Sequence, residues 1–247
     1  MTTVPGLRGE QASIRLHNAA KRRALDELGF APETYKSLSR LTSLRRGLVL
    51  ISGPPASGKS TTMFALLQAI QTADPGRLRC VSLEDPVEID LPGVAQVQVN
   101  EARGNDFASL LKVVLRQDVD VILVGEIRDP ETARLAVSAG TTGHLVLATI
   151  HAGTVRETHR RLRSLHTDDA TYATARAQDP TTPDQEMPVQ AVVWQELLSL
   201  SCPTCDGLGC PACDDTGVSG LRAAGEVVMP PEVVAKCHVV TNLRNAS

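Results

Sequence analysis

Residues 48–61 read LVLISGPPASGKST, and this stretch decides the fold. It begins with four apolar residues, which is typical of a strand buried on both faces of a sheet. The loop that follows fits the pattern G-x4-G-K-[ST], and a helical pattern covers residues 59–73. Because a phosphate-binding loop requires this strand, loop and helix in this order, the sequence predicts a site for a nucleoside triphosphate.

The residue types in the loop suit the chemistry of a triphosphate. Successive main-chain N–H groups and the first turn of the next helix donate to phosphate oxygens. Lys59 supplies a positive charge for the β- and γ-phosphates, and the Ser60 hydroxyl is an oxygen ligand suited to Mg²⁺. Pro54 and Pro55 have no N–H, so we expect the N–H groups from Ala56 onward to form the phosphate cradle.

Short apolar runs alternate with helical patterns along the rest of the chain. This alternation predicts an α/β domain with a mainly parallel sheet and right-handed crossovers. The further strands are predicted at residues 78–83, 119–124 and 145–150. The further helices are predicted at residues 107–117, 130–139, 155–165 and 189–200, with a loop at residues 166–188.

Composition excludes several classes of protein. With 247 residues, 42% of them hydrophobic, the chain is long enough to bury a sizeable core. Its formal net charge is −3 and its aromatic content is 2%, which disfavours nucleic-acid binding by overall positive charge or by base stacking. No apolar run reaches the roughly 18–20 residues of a membrane span, and the first residues lack the apolar centre of a signal peptide. We therefore expect a soluble protein of the cytoplasm.

Residues 1–46 carry nine Lys or Arg against four Asp or Glu. Apolar spacing is weak there, and two short helices are predicted at residues 24–30 and 32–44. We interpret the charge bias as that of a solvated basic face.

Four cysteines fall within twelve residues, in two pairs with two residues between the members of each pair. In a chain without an export signal, this spacing favours metal ligation over disulfides. Two such pairs complete a tetrahedral zinc site, and a closed site of this kind has a structural role. A redox-labile cluster, an iron–sulfur site and two ions shared between chains are the alternatives. The predicted zinc ligands are Cys202, Cys205, Cys210 and Cys213.

Charged and polar residues follow the predicted strands on the side where a parallel sheet collects its ligands. Glu84 and Glu88 follow the second strand, and Glu126 follows the apolar run at residues 121–124. A hydrolytic water needs a carboxylate to orient or deprotonate it, and these three glutamates are the candidates. His151, after the fourth strand, is placed to hydrogen-bond the γ-phosphate.

Taken together, these segments resemble the bacterial type II secretion and type IV pilus assembly ATPases. The resemblance runs from about residue 47 to residue 226 and rests on four motifs in the order found in that family. They are the nucleotide loop at residues 53–61, the aspartate box EDPVE at residues 84–88, the Walker B segment with GEIRD at residues 125–129, and the histidine box at residues 142–151. Residues 91–101 resemble the connecting segment of the family, and the tetracysteine element is found in its assembly and secretion branch.

The resemblance implies a RecA-like P-loop NTPase fold and assigns roles to individual residues. Glu88 matches the general base, Glu126 the Walker B glutamate, and His151 the histidine near the γ-phosphate, with Lys59 as the fourth catalytic residue. Ser60 matches the Mg²⁺ ligand. The nucleotide-binding residues implied are Gly53, Pro54, Pro55, Ala56, Ser57, Gly58, Lys59, Ser60, Thr61, Glu84 and Arg128.

The resemblance also implies an organisation and partners. We divide the chain into a basic segment at residues 1–46, a RecA-like core at 47–188, a C-terminal helix with the zinc subdomain at 189–236, and a polar tail at 237–247. Residues 1–46 then correspond to the linker from a missing N-terminal domain. The family forms homo-hexamers at the cytoplasmic face of the inner membrane, where ATP hydrolysis moves a membrane platform protein that adds pilin-like subunits.

Several positions depart from the family pattern. Pro55 and Ala56 replace Thr and Gly in the loop, and a positive φ at Ala56 would strain the backbone. Ser109, Lys112 and Glu196 replace arginines of the family pattern, and Val119 replaces a proline. Since the N-terminal domain of the family donates arginines to a neighbouring site, we expect this chain alone to bind ATP·Mg²⁺ but to hydrolyse it slowly.

Two other functions remain open at this stage. The altered loop and the replaced arginines suit a nucleotide-dependent scaffold or regulator with little turnover. The basic segment and the cysteine pairs suit a conjugative DNA-transfer ATPase, although the cysteine pairs contain no Lys or Arg.

Overall fold

A computed structural model describes residues 2–13, 22–166 and 188–231 of the protein. The helices are α1 (Pro32–Leu41), α2 (Lys59–Ala73), α3 (Phe107–Val114), α4 (Pro130–Thr141) and α5 (Val155–His166). The strands are β1 (Thr2–Gly6), β2 (Gly9–Ser13), β3 (Gly47–Ser52), β4 (Cys80–Glu84), β5 (Val94–Gln98), β6 (Val121–Val124), β7 (Leu145–Ile150), β8 (Val189–Ser201) and β9 (Val218–Val228).

Seven strands form one sheet in the order β5-β4-β6-β7-β3-β8-β9, and β1 and β2 form a separate hairpin. All neighbours in the large sheet are parallel except β8 and β9, which run antiparallel. Strands β3, β6 and β7 are buried along their whole length, as their unbroken apolar runs predict for a sheet covered on both faces. This architecture confirms the predicted RecA-like α/β fold.

Two hydrophobic clusters cover the two faces of the sheet, and β3 contributes to both. Val49 and Ile51 pack with residues of α1 and α2, whereas Leu48 and Leu50 pack with residues of α3, α4 and α5. Alternate side chains of a strand point to opposite faces, so a single apolar run supplies both halves of the core.

The sequence predicts a helix over residues 189–200, and this prediction is wrong. Val189–Ser201 form β8, which pairs in parallel with β3 and antiparallel with β9. A short apolar run is compatible with either structure, and here pairing with the buried strand β3 outweighs the local pattern. The region proposed as a C-terminal helix therefore continues the central sheet. In addition, Val94–Gln98 form strand β5 within the segment expected only as a connection.

The interpretation of residues 1–46 as a solvated basic face is also wrong for their second half. Leu38 and Leu41 on α1 are completely buried, and Leu25, Leu28 and Leu44 are at least nine-tenths buried in the same cluster as α2. These five leucines close one face of the core, while Arg22, Arg23, Arg45 and Arg46 are exposed.

Two expectations fall on parts of the chain with little or no description. The polar tail and most of the loop predicted at residues 166–188 lie outside the described residues. Among the residues that are described, we find no helix with the length and apolar character needed to cross a membrane.

We expect Leu41→Ala to lower the free energy of unfolding by about 2–5 kcal/mol, because the truncation leaves a cavity beneath α1. Urea unfolding followed by circular dichroism measures this change. Lys36→Ala, at an exposed position of the same helix, is the control and is expected to change the free energy by less than about 0.5 kcal/mol. Equal effects of the two variants would contradict the assignment of α1 to the core.

Candidate active site

A cavity of about 570 Å³ opens at the carboxyl ends of β3, β4, β6 and β7. This is the edge where an open parallel sheet gathers its ligands. The cavity brings together most of the predicted site residues, from four separate segments of the chain. Its lining includes Pro55, Ala56, Ser57, Gly58, Lys59, Ser60, Thr61, Glu84, Glu88, Glu126, Arg128 and His151.

The loop between β3 and α2 turns sharply and is held from outside by Gln195 on β8. Gly53 has φ of +147°, and a Cβ there would lie 2.0 Å from the main-chain oxygen of Gln195, so only glycine fits. The Gln195 side chain is almost completely buried, and its Nε2 donates to the main-chain oxygen of Ser57 at 2.7 Å. Strand β8 therefore fixes the loop at its start and at its middle.

Ala56 lies in the left-handed region with φ of +59°. This is the positive φ that the sequence analysis named as a source of backbone strain at this position. A side chain in this region costs about 1–2 kcal/mol relative to the right-handed conformation. Gly58, at φ of +82°, follows without such a penalty because it has no Cβ. The first turn of α2 then presents N–H groups that have no acceptor within the helix.

Lys59 lies over the loop and is nine-tenths buried. Its Nζ donates to the main-chain oxygens of Gly53 at 3.1 Å and Pro54 at 2.8 Å. Burial lowers the pKa of Lys59, while attraction to Glu126 acts in the opposite direction. Gly53 and Pro54 do not line the cavity; they contribute by holding the lysine.

Glu126, Arg128 and His151 form one charged network in the cavity. Arg128 Nε donates to Glu126 Oε2 at 2.6 Å, and His151 Nε2 lies 3.1 Å from Glu126 Oε1. The second end of the Arg128 guanidinium reaches Asp85 Oδ2 at 3.3 Å. The hydrogen bond to Glu126 raises the pKa of Arg128. Arg128 thus links the residues after β4 to those after β6.

The other two glutamates have contrasting surroundings. Glu84, at the end of β4, is 3% exposed, and its Oε1 accepts hydrogen bonds from Ser82 and Gln96. Glu88 is exposed and makes no hydrogen bond or ion pair with any of the residues that the structure describes. One carboxylate is therefore held rigidly and the other is free to act on a ligand.

Several residues of the site were not identified from the sequence. Gln195, Ser82 and Gln96 contact predicted site residues but belong to none of the four motifs, and Asp85 lies in the aspartate box without a role assigned from the sequence. Their partners lie 43 or more residues away or on a neighbouring strand, except for Ser82, which stands two residues before Glu84.

The four clustered cysteines lie together between β8 and β9. Their sulfurs are all within 4.8 Å of one another, and three pairs are separated by 3.8–3.9 Å. Four sulfurs around one zinc ion at about 2.3 Å would stand about 3.8 Å apart. Although burial opposes it, main-chain N–H donors from Cys210 and Gly217 lower the pKa of the Cys213 thiol to about 6. The donor set and its spacing fit a zinc ion.

A family model described as Type II/IV secretion system protein matches residues 1–246 of the chain. The putative type II secretion system protein E of Escherichia coli K12 is 38% identical over 206 residues, which are 83% of this chain and 38% of that protein. The type IV pilus assembly ATPase PilB of Thermus thermophilus is 44% identical over 163 residues, which are 66% of this chain and 18% of that protein. The chain thus spans less than half the length of these relatives.

Among solved structures, the pilus retraction motor PilT with bound ADP shares this fold. Its TM-score is 0.63 at 26% sequence identity, and the match covers 91% of this chain and 60% of the PilT chain.

We expect Ala56→Gly to raise the free energy of unfolding by about 0.5–1 kcal/mol, because glycine adopts the positive φ without strain. Chemical denaturation measures the change. Ala69→Gly, within helix α2, is the matched control and should lower the same free energy by about 1 kcal/mol. If both glycine substitutions destabilise the protein equally, Ala56 is not strained.

Proposed function

Since the chain belongs to the Type II/IV secretion system protein family, we propose that it binds ATP·Mg²⁺ and hydrolyses ATP as a motor subunit. The observation that carries this proposal is the position of Lys59 and the start of α2 in the same cavity as Glu88 and Glu126. One side of the cavity offers N–H groups and an ammonium for a polyphosphate. The other side offers carboxylates for a water molecule.

Residues of the loop bind and orient the nucleotide. The N–H groups from Ala56 onward and the first turn of α2 hold the phosphates, with Lys59 at the terminal ones. The Ser60 hydroxyl is half-buried and has no hydrogen-bond partner in the described part of the chain, so it is available as a metal ligand. Mg²⁺, when bound, neutralises charge on the phosphate oxygens.

Glu88 acts as the general base. Its carboxylate lines the cavity and has no partner in the described part of the chain, whereas Glu126 is bound to Arg128 and His151 and Glu84 is bound to Ser82 and Gln96. A free carboxylate accepts the proton of the attacking water without first breaking an ion pair. Glu126 orients the Mg²⁺ ion or its water, and His151 contacts the γ-phosphate.

We extend the same proposal to the mechanical work that ATP hydrolysis drives. Relatives of this chain are named as components of type II secretion and type IV pilus assembly. By analogy, a homo-hexamer at the cytoplasmic face of the inner membrane moves a platform protein and so adds pilin-like subunits.

The cysteine cluster binds one Zn²⁺ ion with a structural role. Four thiolates fill the tetrahedral coordination sphere, so no position is left for substrate. A bound ion would hold the chain between β8 and β9, where Leu208 is almost fully exposed.

A scaffold that binds nucleotide with little turnover is the second candidate, because of the strained Ala56 and the two prolines in the loop. A loop with fewer N–H donors holds the phosphates less firmly in the transition state. Measurement of phosphate release separates this function from the motor.

Calorimetry with ATP and Mg²⁺ is expected to show binding, and Lys59→Ala is expected to abolish it. The single tryptophan, Trp194, pairs with Ser52 next to the loop and provides a fluorescence signal for the same titration. Lys112→Ala is the control because Lys112 pairs with Glu131 outside the cavity. Absence of binding to the folded protein would contradict the proposal.

Glu88→Gln is expected to lower kcat by about 10²–10⁴-fold and to leave the dissociation constant of ATP within a few fold, because it removes the base and retains the shape. Steady-state phosphate release measures kcat. A loss of binding without a loss of kcat would instead assign Glu88 to the nucleotide.

Zinc analysis should find one ion per chain, and Cys213→Ser should abolish it. Hydrogen exchange of residues 202–217 is expected to accelerate when a chelator removes the ion. Cys80→Ala, at a buried cysteine outside the cluster, should keep the full zinc content. Unchanged exchange after complete removal of zinc would contradict the structural role.

A further inference from the structure

We propose that Gln96 is a positioning residue of the active site, whose side-chain amide holds Glu84 and the chain next to Glu88 in one rigid unit. The inference rests on the proposed ATPase function and adds a residue outside the motifs that define the site.

All polar atoms of the Gln96 side chain are engaged. Nε2 donates to Glu84 Oε1 at 2.8 Å and to the main-chain oxygen of Ile89 at 2.9 Å. Oε1 accepts from the main-chain N–H of Leu91 at 2.8 Å. A glutamine has two amide hydrogens and one carbonyl oxygen, so these three bonds use both hydrogens and the oxygen.

The partners determine the orientation of this amide. The main-chain N–H of Leu91 can only donate, and the main-chain oxygen of Ile89 can only accept. The Oε1 atom must therefore face Leu91 and Nε2 must face Ile89, which brings an N–H to the Glu84 carboxylate. A carboxylate at position 96 could not form the same set, because it lacks both hydrogens.

The register of the sheet creates this arrangement. Ser82 on β4 pairs directly with Gln96 on β5, and Glu84 follows Ser82 by two residues. Residues separated by two lie on one face of a strand, so Ser82, Glu84 and Gln96 share one face. Ser82 Oγ adds a second hydrogen bond to Glu84 Oε1, at 2.6 Å.

Ser82 and Gln96 thereby hold Glu84 through only one of its two carboxylate oxygens, Oε1. Its Oε2 is buried and has no hydrogen-bond partner among the residues that the structure describes, although Glu84 lines the nucleotide cavity. A buried carboxylate oxygen without a donor is costly, so this atom is suited to accept a hydrogen bond from a ligand or water in the cavity. Gln96 and Ser82 determine where that acceptor stands.

Gln96 also acts on Glu88 through the main chain. Ile89 follows Glu88 directly, and the two main-chain hydrogen bonds to Ile89 and Leu91 anchor this segment to β5. The Glu88 side chain has no contact of this kind of its own in the described chain. Its position therefore depends on the backbone that Gln96 holds.

The test is a comparison of Gln96→Ala with Gln98→Ala, a control at the exposed end of the same strand. We expect Gln96→Ala to lower kcat at least about 10-fold, with the KM for ATP within about 2-fold, because the phosphate loop is untouched. Gln98→Ala should leave both values unchanged. Equal kcat values for the two variants would overturn the proposal.

A second readout does not require turnover. The amide of Leu91 should exchange with deuterium faster in Gln96→Ala than in the wild type or in Gln98→Ala, because its acceptor is lost. Unchanged exchange at Leu91 would overturn the role of Gln96. If the wild type hydrolyses no ATP, the proposed function fails, while this measurement still decides whether Gln96 holds the segment.

A double-mutant cycle tests the route through Glu84. In the background of Glu84→Gln, the substitution Gln96→Ala should cost less in kcat than it does in the wild type, because the two residues act as a unit. Fully multiplicative effects would show that Gln96 does not act through Glu84.

Discussion

The close approach of the Gln195 main chain to Gly53 is the contact on which the rest of the structure depends. A Cβ at Gly53 would stand 2.0 Å from the Gln195 oxygen, so the chain can leave β3 and turn into α2 only with glycine at this point. This turn places the free N–H groups of α2 and the Lys59 ammonium at the edge of the sheet. The same edge receives the carboxylates from β4 and β6, so the turn creates the cavity.

Three glutamates share this cavity, and their surroundings give them different chemistry. Glu84 is held by neutral hydrogen-bond donors, Glu126 is paired with the Arg128 cation, and Glu88 has no partner among the residues that the structure describes. Identical side chains therefore stand in three different settings, and the proposed base, Glu88, is the one that makes no hydrogen bond or ion pair with the described residues. The protein achieves this through the elements on which they stand, since two of the glutamates end strands or follow them closely and the third stands in a loop.

Strand β8 runs from the phosphate loop to the cysteine cluster. Gln195 near its middle holds the phosphate loop, and Cys202 follows its last residue. From Gln195 to Ser201, β8 pairs with β9 alone, because its pairing with β3 ends at Trp194. The phosphate loop and the four cysteines are therefore joined by one continuous strand, and the strained Ala56 lies between the two points of the loop that β8 holds.

Local sequence determined the parts that depend on short-range chemistry: the phosphate loop before α2, the buried strands β3, β6 and β7, and the paired cysteines. These features follow from residue type and spacing within a few positions and from the geometry of the local backbone. Tertiary structure alone decided that residues 189–201 form a strand, that α1 closes the core, and that Gln96 and Gln195 serve the site. Their roles depend on partners distant in the chain or on neighbouring strands, and pairing and burial override local preference wherever a short apolar segment is compatible with more than one conformation.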